Sequence, residues 1–210
     1  TICSGEKTQL KVTGAKEYTW SYKSMTTDTI TVAPISTTTY YVTGKDGAAS
    51  DIDTVIVFVN PLPNAYAGKD TSVCIGNSIN LTASGGGTYS WNYKSYTTQT
   101  ITVTPTQKTT YVVTVTVNKC SASDDVVVDI IANPTVSAGN DVSICKGDSI
   151  SLTATGASNY SWSTSATSQT IKVAPLSNYT YRVTGYKSGC SASDDVTVFV
   201  TNIPTINLGS

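Results

Sequence analysis

The chain has 210 residues, of which 39% are hydrophobic and only 13% charged, with a net charge of −1, a pI near 5.2 and no histidine. That balance argues against a phosphate-binding surface, which needs clustered Lys and Arg. The lack of histidine removes the commonest general base and metal ligand. No apolar run approaches the ~18 residues of a membrane-crossing helix, and no signal peptide is legible, which reads as a mature chain or an internal piece.

The elements repeat in chain order. Cys3, Cys74 and Cys145 recur 71 residues apart, as do Gly5, Gly76 and Gly147, and Trp20, Trp91 and Trp162. Pro34, Pro105 and Pro175 follow in step, with Tyr40, Tyr111 and Tyr181. Agreement across five residue types marks an internal repeat. Within each copy the first clear signal is a period-2 alternation, in TQLKVT (8–13), SINLTA (78–83) and SISLTA (149–154), the mark of a half-buried strand. A Gly-containing turn leads to YTWSYK, YSWNYK or YSWST. Then come TITVAP, TITVTP and TIKVAP, each closed by a proline that a central strand excludes. A Tyr- and Val-rich strand and a last Val-rich strand complete the copy. Six or seven short strands per copy with frequent turn signals predict an all-β fold. The expected arrangement is three tandem immunoglobulin-like antiparallel β-sandwich domains in a rod, with a spare C-terminal strand.

The expected domains are 1–60, 61–132 and 133–202. They join at Asn60-Pro61, Asn133-Pro134 and Asn202-Ile203-Pro204, where proline stiffens the joint. Residues 203–210 form the fourth piece. Pro204-Thr205-Ile206-Asn207-Leu208-Gly209-Ser210 matches the openings of the second and third copies, at Pro63–Lys69 and Pro134–Asn140. The first copy lacks this opening. The tail therefore reads as the first strand of a following domain, or as a donor strand anchored by Pro204, Ile206, Leu208 and Gly209.

Five cysteines remain to be sorted. Cys74 and Cys120 occupy places equivalent to Cys145 and Cys190, which suggests staples within domains, Cys74–Cys120 and Cys145–Cys190. Staples commonly support small cores and imply an oxidising, extracellular or cell-surface location. Metal binding is the rival reading, against which stand the lack of CxxC and of histidine. Gly47 stands where the first copy's second cysteine is expected, leaving Cys3 an unpaired thiol. That thiol is either a remnant or half of an intermolecular bond.

Trp20, Trp91 and Trp162 read as core residues packed over the staple, and Tyr40, Tyr111 and Tyr181 as packed between sheets. Tyr22, Lys23, Tyr93, Lys94 and Tyr96 lie in loops after the Trp strand, the candidate ligand loops. Asp51, Asp53, Asp124, Asp125, Asp194 and Asp195 recur per copy, which suits turn and strand-start duties better than a single catalytic pair. Calcium held at domain joints by Asp70 or Asp141 is the rival. Gly85-Gly86-Gly87 precedes no helical pattern and reads as a turn. No nucleophile–base–orienter set can be assembled, so the chain is not expected to be an enzyme, and no other cofactor is implied.

The pattern P-x-x-x-A-G-x-D…C-x-G-x-S-I-x-L-T-A…Y-x-W…T-I-x-V-x-P…C-S-A-S-D-D-V resembles the tandem immunoglobulin-like and PKD-like repeats of secreted Bacteroidota surface adhesins and fibres. That resemblance implies extracellular attachment. It also implies O-glycosylation at Asp-Ser/Thr-aliphatic sites, which Thr29, Thr54 and Ser149 satisfy. The expected role is a structural subunit of an extracellular fibre or stalk. Its partner is itself, with residues 203–210 completing the first domain of the next subunit or repeat. The alternative is an adhesin segment binding surface glycans through the Tyr/Lys loops. Nucleic acid and a membrane span are not expected.

Overall fold

The computed structural model describes residues 1–204. The chain is all-β, and no helix occurs among the described residues. The first repeat contributes β1 (Ile2–Cys3), β2 (Thr8–Lys11), β3 (Glu17–Trp20), β4 (Thr29–Val32), β5 (Thr38–Asp46), β6 (Ala49–Val57) and β7 (Val59–Asn60). The second gives β8 (Thr71–Cys74), β9 (Ile79–Thr82), β10 (Thr88–Trp91), β11 (Thr100–Val103), β12 (Thr109–Val117) and β13 (Cys120–Ile131). The third gives β14 (Val142–Cys145), β15 (Ile150–Thr153), β16 (Asn159–Trp162), β17 (Thr170–Val173), β18 (Tyr179–Lys187) and β19 (Cys190–Thr201). Their polar–apolar alternation becomes an exposed–buried alternation, as in β11 and β17.

The third repeat shows the plan most fully. One sheet runs β14-β19-β18-β16 and the other pairs β15 with β17. All pairings are antiparallel except β14 with β19, which run parallel from Val142↔Val198 to Cys145↔Thr201. Between the sheets lie Leu152, Trp162, Ile171, Tyr181, Val183 and Val196. Trp162 is buried, and its indole N–H donates to the Ser168 carbonyl at 3.0 Å. Trp20 and Trp91 repeat this through Thr27 and Thr98, so each indole meets the need of a buried N–H for a partner. No cysteine lies in the core clusters around Trp162 or Trp20. The expectation that tryptophan packs over a staple is therefore corrected for Trp20 and Trp162.

The chain divides into two compact units. One holds Thr1–Asp70, Asn80–Val103 and Thr110–Val127; the other holds Thr71–Ile79, Thr104–Thr109 and the residues from Val128 onward. The first contains the disulfide Cys3–Cys120, the second the disulfide Cys74–Cys190. Cys145 is free and exposed. The expected pairs Cys74–Cys120 and Cys145–Cys190 are thus wrong, as is the expectation that Cys3 is the unpaired thiol.

The reason is strand length. Cys74 lies beside Ile131 at one end of β13, and Cys120 starts that strand at the other. At about 3.3 Å per residue, the 12 residues of β13 hold these cysteines some 35 Å apart, whereas a disulfide needs Cα atoms within about 7 Å. Cys145, beside Thr201, and Cys190 are separated in the same way by β19. Each bond therefore joins one repeat's first cysteine to the hairpin of the repeat after it, with Cα–Cα distances of 5.5 and 5.7 Å. The register also moves the missing cysteine. Lys187 pairs with Cys190 as Asp46 pairs with Ala49. Ala49, not Gly47, thus occupies the cysteine's place, and Gly47 is a turn residue with φ of +63°.

Candidate functional site

The segment that opens the second and third repeats has a specific job. In the third, Ser137 bridges Thr155 just beyond β15, and the Ala138 amide donates to Asp194 Oδ2 at 2.8 Å. Further on, Asp141 Oδ1 accepts the Thr197 amide at 2.7 Å. The segment thereby crosses from β15 to β19 and closes the edge between the two sheets. The second repeat builds the same closure with Tyr66 on Ser84, Ala67 on Asp124, and Asp70 on the Val127 amide. Two glycines make room for it in the third repeat. A Cβ on Gly156 would collide with the Thr135 carbonyl, and one on Gly185 would come 2.5 Å from Val136 Cγ2.

The first repeat carries the same receptor positions. Gly14, Ala15, Gly44 and Asp53 stand where the third repeat has Gly156, Ala157, Gly185 and Asp194. A Cβ on Gly14 would meet nothing within 4 Å. In place of the segment there is an open groove of about 460 Å³, lined by Val12, Ala15, Tyr18, Gly44 and Asp53 among others. Its walls are held from within: the Ala15 amide donates to the Tyr18 hydroxyl at 2.9 Å, as Ala157 does to Tyr160. Asp53 Oδ1 accepts its neighbour Thr54's amide at 2.7 Å. On β6, the strand that carries Asp53, a position buried in the other repeats is uncovered. Val55 is 37% exposed, whereas its equivalents Val126 and Val196 are fully buried. Such a groove presents an apolar strip, a carboxylate acceptor and space for a backbone, the components of strand addition. Of the expected assembly strand, Pro204 is exposed. Ile206, Leu208 and Gly209 lie outside the described residues.

The Tyr/Lys loops are built differently. Lys23, Ser24, Lys94 and Ser95 all have positive φ, between +49° and +56°. This turns each lysine back so that Lys23 lies 5.1 Å from the Tyr22 ring centre and Lys94 5.1 Å from that of Tyr93. Tyr22 stands edge-on to buried Tyr40, and Tyr93 edge-on to buried Tyr111. Tyr96 flanks Tyr93 and is exposed. The half-buried Tyr22 and Tyr93 rings are thus each engaged by a lysine and a neighbouring tyrosine. Hydrogen bonding to Tyr93 raises the Lys94 pKa, and burial raises those of Tyr40 and Tyr181. Asp129 is held below its ordinary range by the Ile130 amide and then by Lys108.

The remaining candidates are scattered. Thr54 and Ser149 are exposed and Thr29 half-buried, all three apart from the groove lining. Asp70 and Asp141, considered for calcium, each use one carboxylate oxygen on a backbone amide of the last strand. No cluster of three or more His, Cys, Asp or Glu suited to a metal occurs among the described residues. The groove itself was legible only as a missing segment. Its glycines gave no signal until their positions in the other repeats were seen to lie under a crossing chain.

No family model matches this chain, and no curated protein matches it. Solved structures do. Extracellular domains 3–5 of Drosophila OTK align at 10% identity over 95% of this chain and 93% of that one, with a TM-score of 0.34. The titin I-band fragment I67–I69 aligns at 12% identity over 95% and 94%, with a TM-score of 0.38. The insect immune protein hemolin aligns at 12% identity over 96% of this chain and 74% of its own, with a TM-score of 0.37. All three are tandem immunoglobulin-domain proteins, and at these scores the likeness supports no functional argument.

Proposed function

We propose that this protein is a non-catalytic structural element of an extracellular fibre or surface stalk, assembled head to tail. Residues 203–210 of one subunit lie in the groove of the next subunit's first repeat and complete it. The observation that carries this reading is the open groove lined by Gly14, Gly44 and Asp53, whose equivalents in the third repeat serve a crossing segment. By position, Ile206 takes the place of Val136 and Leu208 that of Ala138, so the Leu208 amide would donate to Asp53 as Ala138 does to Asp194. Backbone bonds supply affinity, and alternate apolar side chains fix the register. Contacts that do not close into a ring propagate. Two disulfides suit an oxidising compartment, and the resemblance to secreted Bacteroidota surface repeats points the same way.

Light scattering tests the reading. The expected native mass rises with concentration and falls to 22.0 kDa in denaturant. Val55→Asp, which places a charge on an already exposed position, should hold the native protein at the single-chain mass, as should Leu208→Asp in the tail. A wild-type protein that stays at the single-chain mass at every concentration overturns it. Glycan binding through Tyr22, Lys23, Tyr93, Lys94 and Tyr96 is less well supported, because the Tyr22 and Tyr93 rings are engaged by their own lysines and neighbouring tyrosines.

A further inference from the structure

Cys145 occupies a site whose two copies in this chain are both bonded to another cysteine. Cys3, Cys74 and Cys145 each end the strand that runs beside the last strand of their repeat. Each carbonyl then closes a tight turn, accepting the amide of Glu6, Asn77 or Asp148 at 2.9–3.0 Å. The turns contain Gly5, Gly76 and Gly147, with φ of +76°, +84° and +99°. The residue after each cysteine is pinned identically: Ser4, Ile75 and Lys146 donate their amides to Asn60, Ile131 and Thr201, each at 2.9 Å. The backbone that presents Cys3 to Cys120 and Cys74 to Cys190 is therefore already formed around Cys145. The hairpin partners share a form too. The residues before them, Asn118-Lys119 and Ser188-Gly189, are all left-handed, a two-residue turn that puts the cysteine first in the last strand.

We infer that Cys145 is the open half of an inter-repeat disulfide, whose partner is a cysteine at the first position of the last strand of a repeat that follows the third. That position is Ala49 in the first repeat, so a further copy of this chain cannot supply the partner through its own first repeat. Bonding takes place by exchange with a small-molecule disulfide. The Cys145 thiolate attacks it, expels one thiol and forms a mixed disulfide. The partner's thiolate then displaces the second thiol, and the two protons released end on the two small thiols. The inference needs a following repeat that carries this cysteine; the proposed joint to a further copy, whose first repeat has Ala49, leaves Cys145 unbonded, so the two readings are tested separately.

The test appends residues 70–132 after Ser210, so that the tail supplies the opening segment of a fourth repeat. The protein is oxidised with glutathione, unfolded without reductant, alkylated and mapped by mass spectrometry. Cys145 should be protected and joined to the appended copy of Cys120, with the free thiol moved to the appended copy of Cys74. Serine in place of the appended copy of Cys120 should return Cys145 to full alkylation. Alkylation of Cys145 in both proteins, with Cys3–Cys120 and Cys74–Cys190 intact, overturns the inference. So does pairing of Cys145 with the appended copy of Cys74. Ala49→Cys in the unextended chain, examined at concentrations where light scattering shows assembly, is the second variant. It should give reductant-sensitive ladders that Cys145→Ser abolishes, and their absence from assembled protein counts against the staple while leaving assembly in place.

Discussion

Replacing Cys190 by serine distinguishes staples between repeats from staples within them. Cys74 and Cys190 are 116 residues apart in sequence. Closing so long a loop in the unfolded chain corresponds to about 5 kcal/mol at the upper end of the chain-entropy model, and measured bonds typically give about 2–4. A repeat of this size loses roughly 4–8 °C per kcal/mol, so Cys190→Ser should lower the melting transition of the third repeat by about 10–30 °C. Cys145→Ser should leave that transition within a degree or two, because Cys145 is exposed and unbonded. Cys3→Ser should destabilise by about the same few kcal/mol as Cys120→Ser, since the two form one bond. Differential scanning calorimetry of the four variants, with thiol titration, reads all of this. Equal losses from Cys145→Ser and Cys190→Ser, with no effect of Cys3→Ser, would restore the pairing within repeats and refute the strand-length argument.

Two further outcomes follow from the opening segment and the core. Asp194→Ala removes the acceptor of the amide of buried Ala138 and should cost about 1–3 kcal/mol in denaturant unfolding. Asp53→Ala, whose carboxylate takes only its exposed neighbour's amide, should cost under about 0.5 kcal/mol in the single chain yet weaken assembly. Equal costs would show that the groove does not await a donor. Trp162→Ala should cost about 3–5 kcal/mol through the cavity left among Leu152, Ile171 and Val183; a loss below about 1 kcal/mol would contradict its burial.

Much of the molecule follows from local sequence. The polar–apolar alternation in residues 149–154 sets Leu152 inward, and the proline after TIKV ends β17. The repeat of Trp and Tyr positions gives three similar β units. These features depend on the two-residue period of a strand and on backbone chemistry within a few residues, so they can be read along the chain. The shared opening of Pro63, Pro134 and Pro204 also showed where a segment recurs.

Equivalence between repeats did not reveal direction or distance. That Cys74 and Cys120 lie at opposite ends of β13 depends on the parallel pairing of β8 with that strand, a pairing of residues more than 50 positions apart. Likewise, Gly14 and Gly44 look like ordinary turn and strand glycines until folding places them where Gly156 and Gly185 pass beneath a crossing segment. Ala49 acquires meaning only through its register with Asp46. The sequence alone determined which residues form strands and which positions correspond. Only the tertiary structure decided which ends meet, because a disulfide or a docked strand depends on separation in space, and a 12-residue strand carries its two ends far beyond the reach of either.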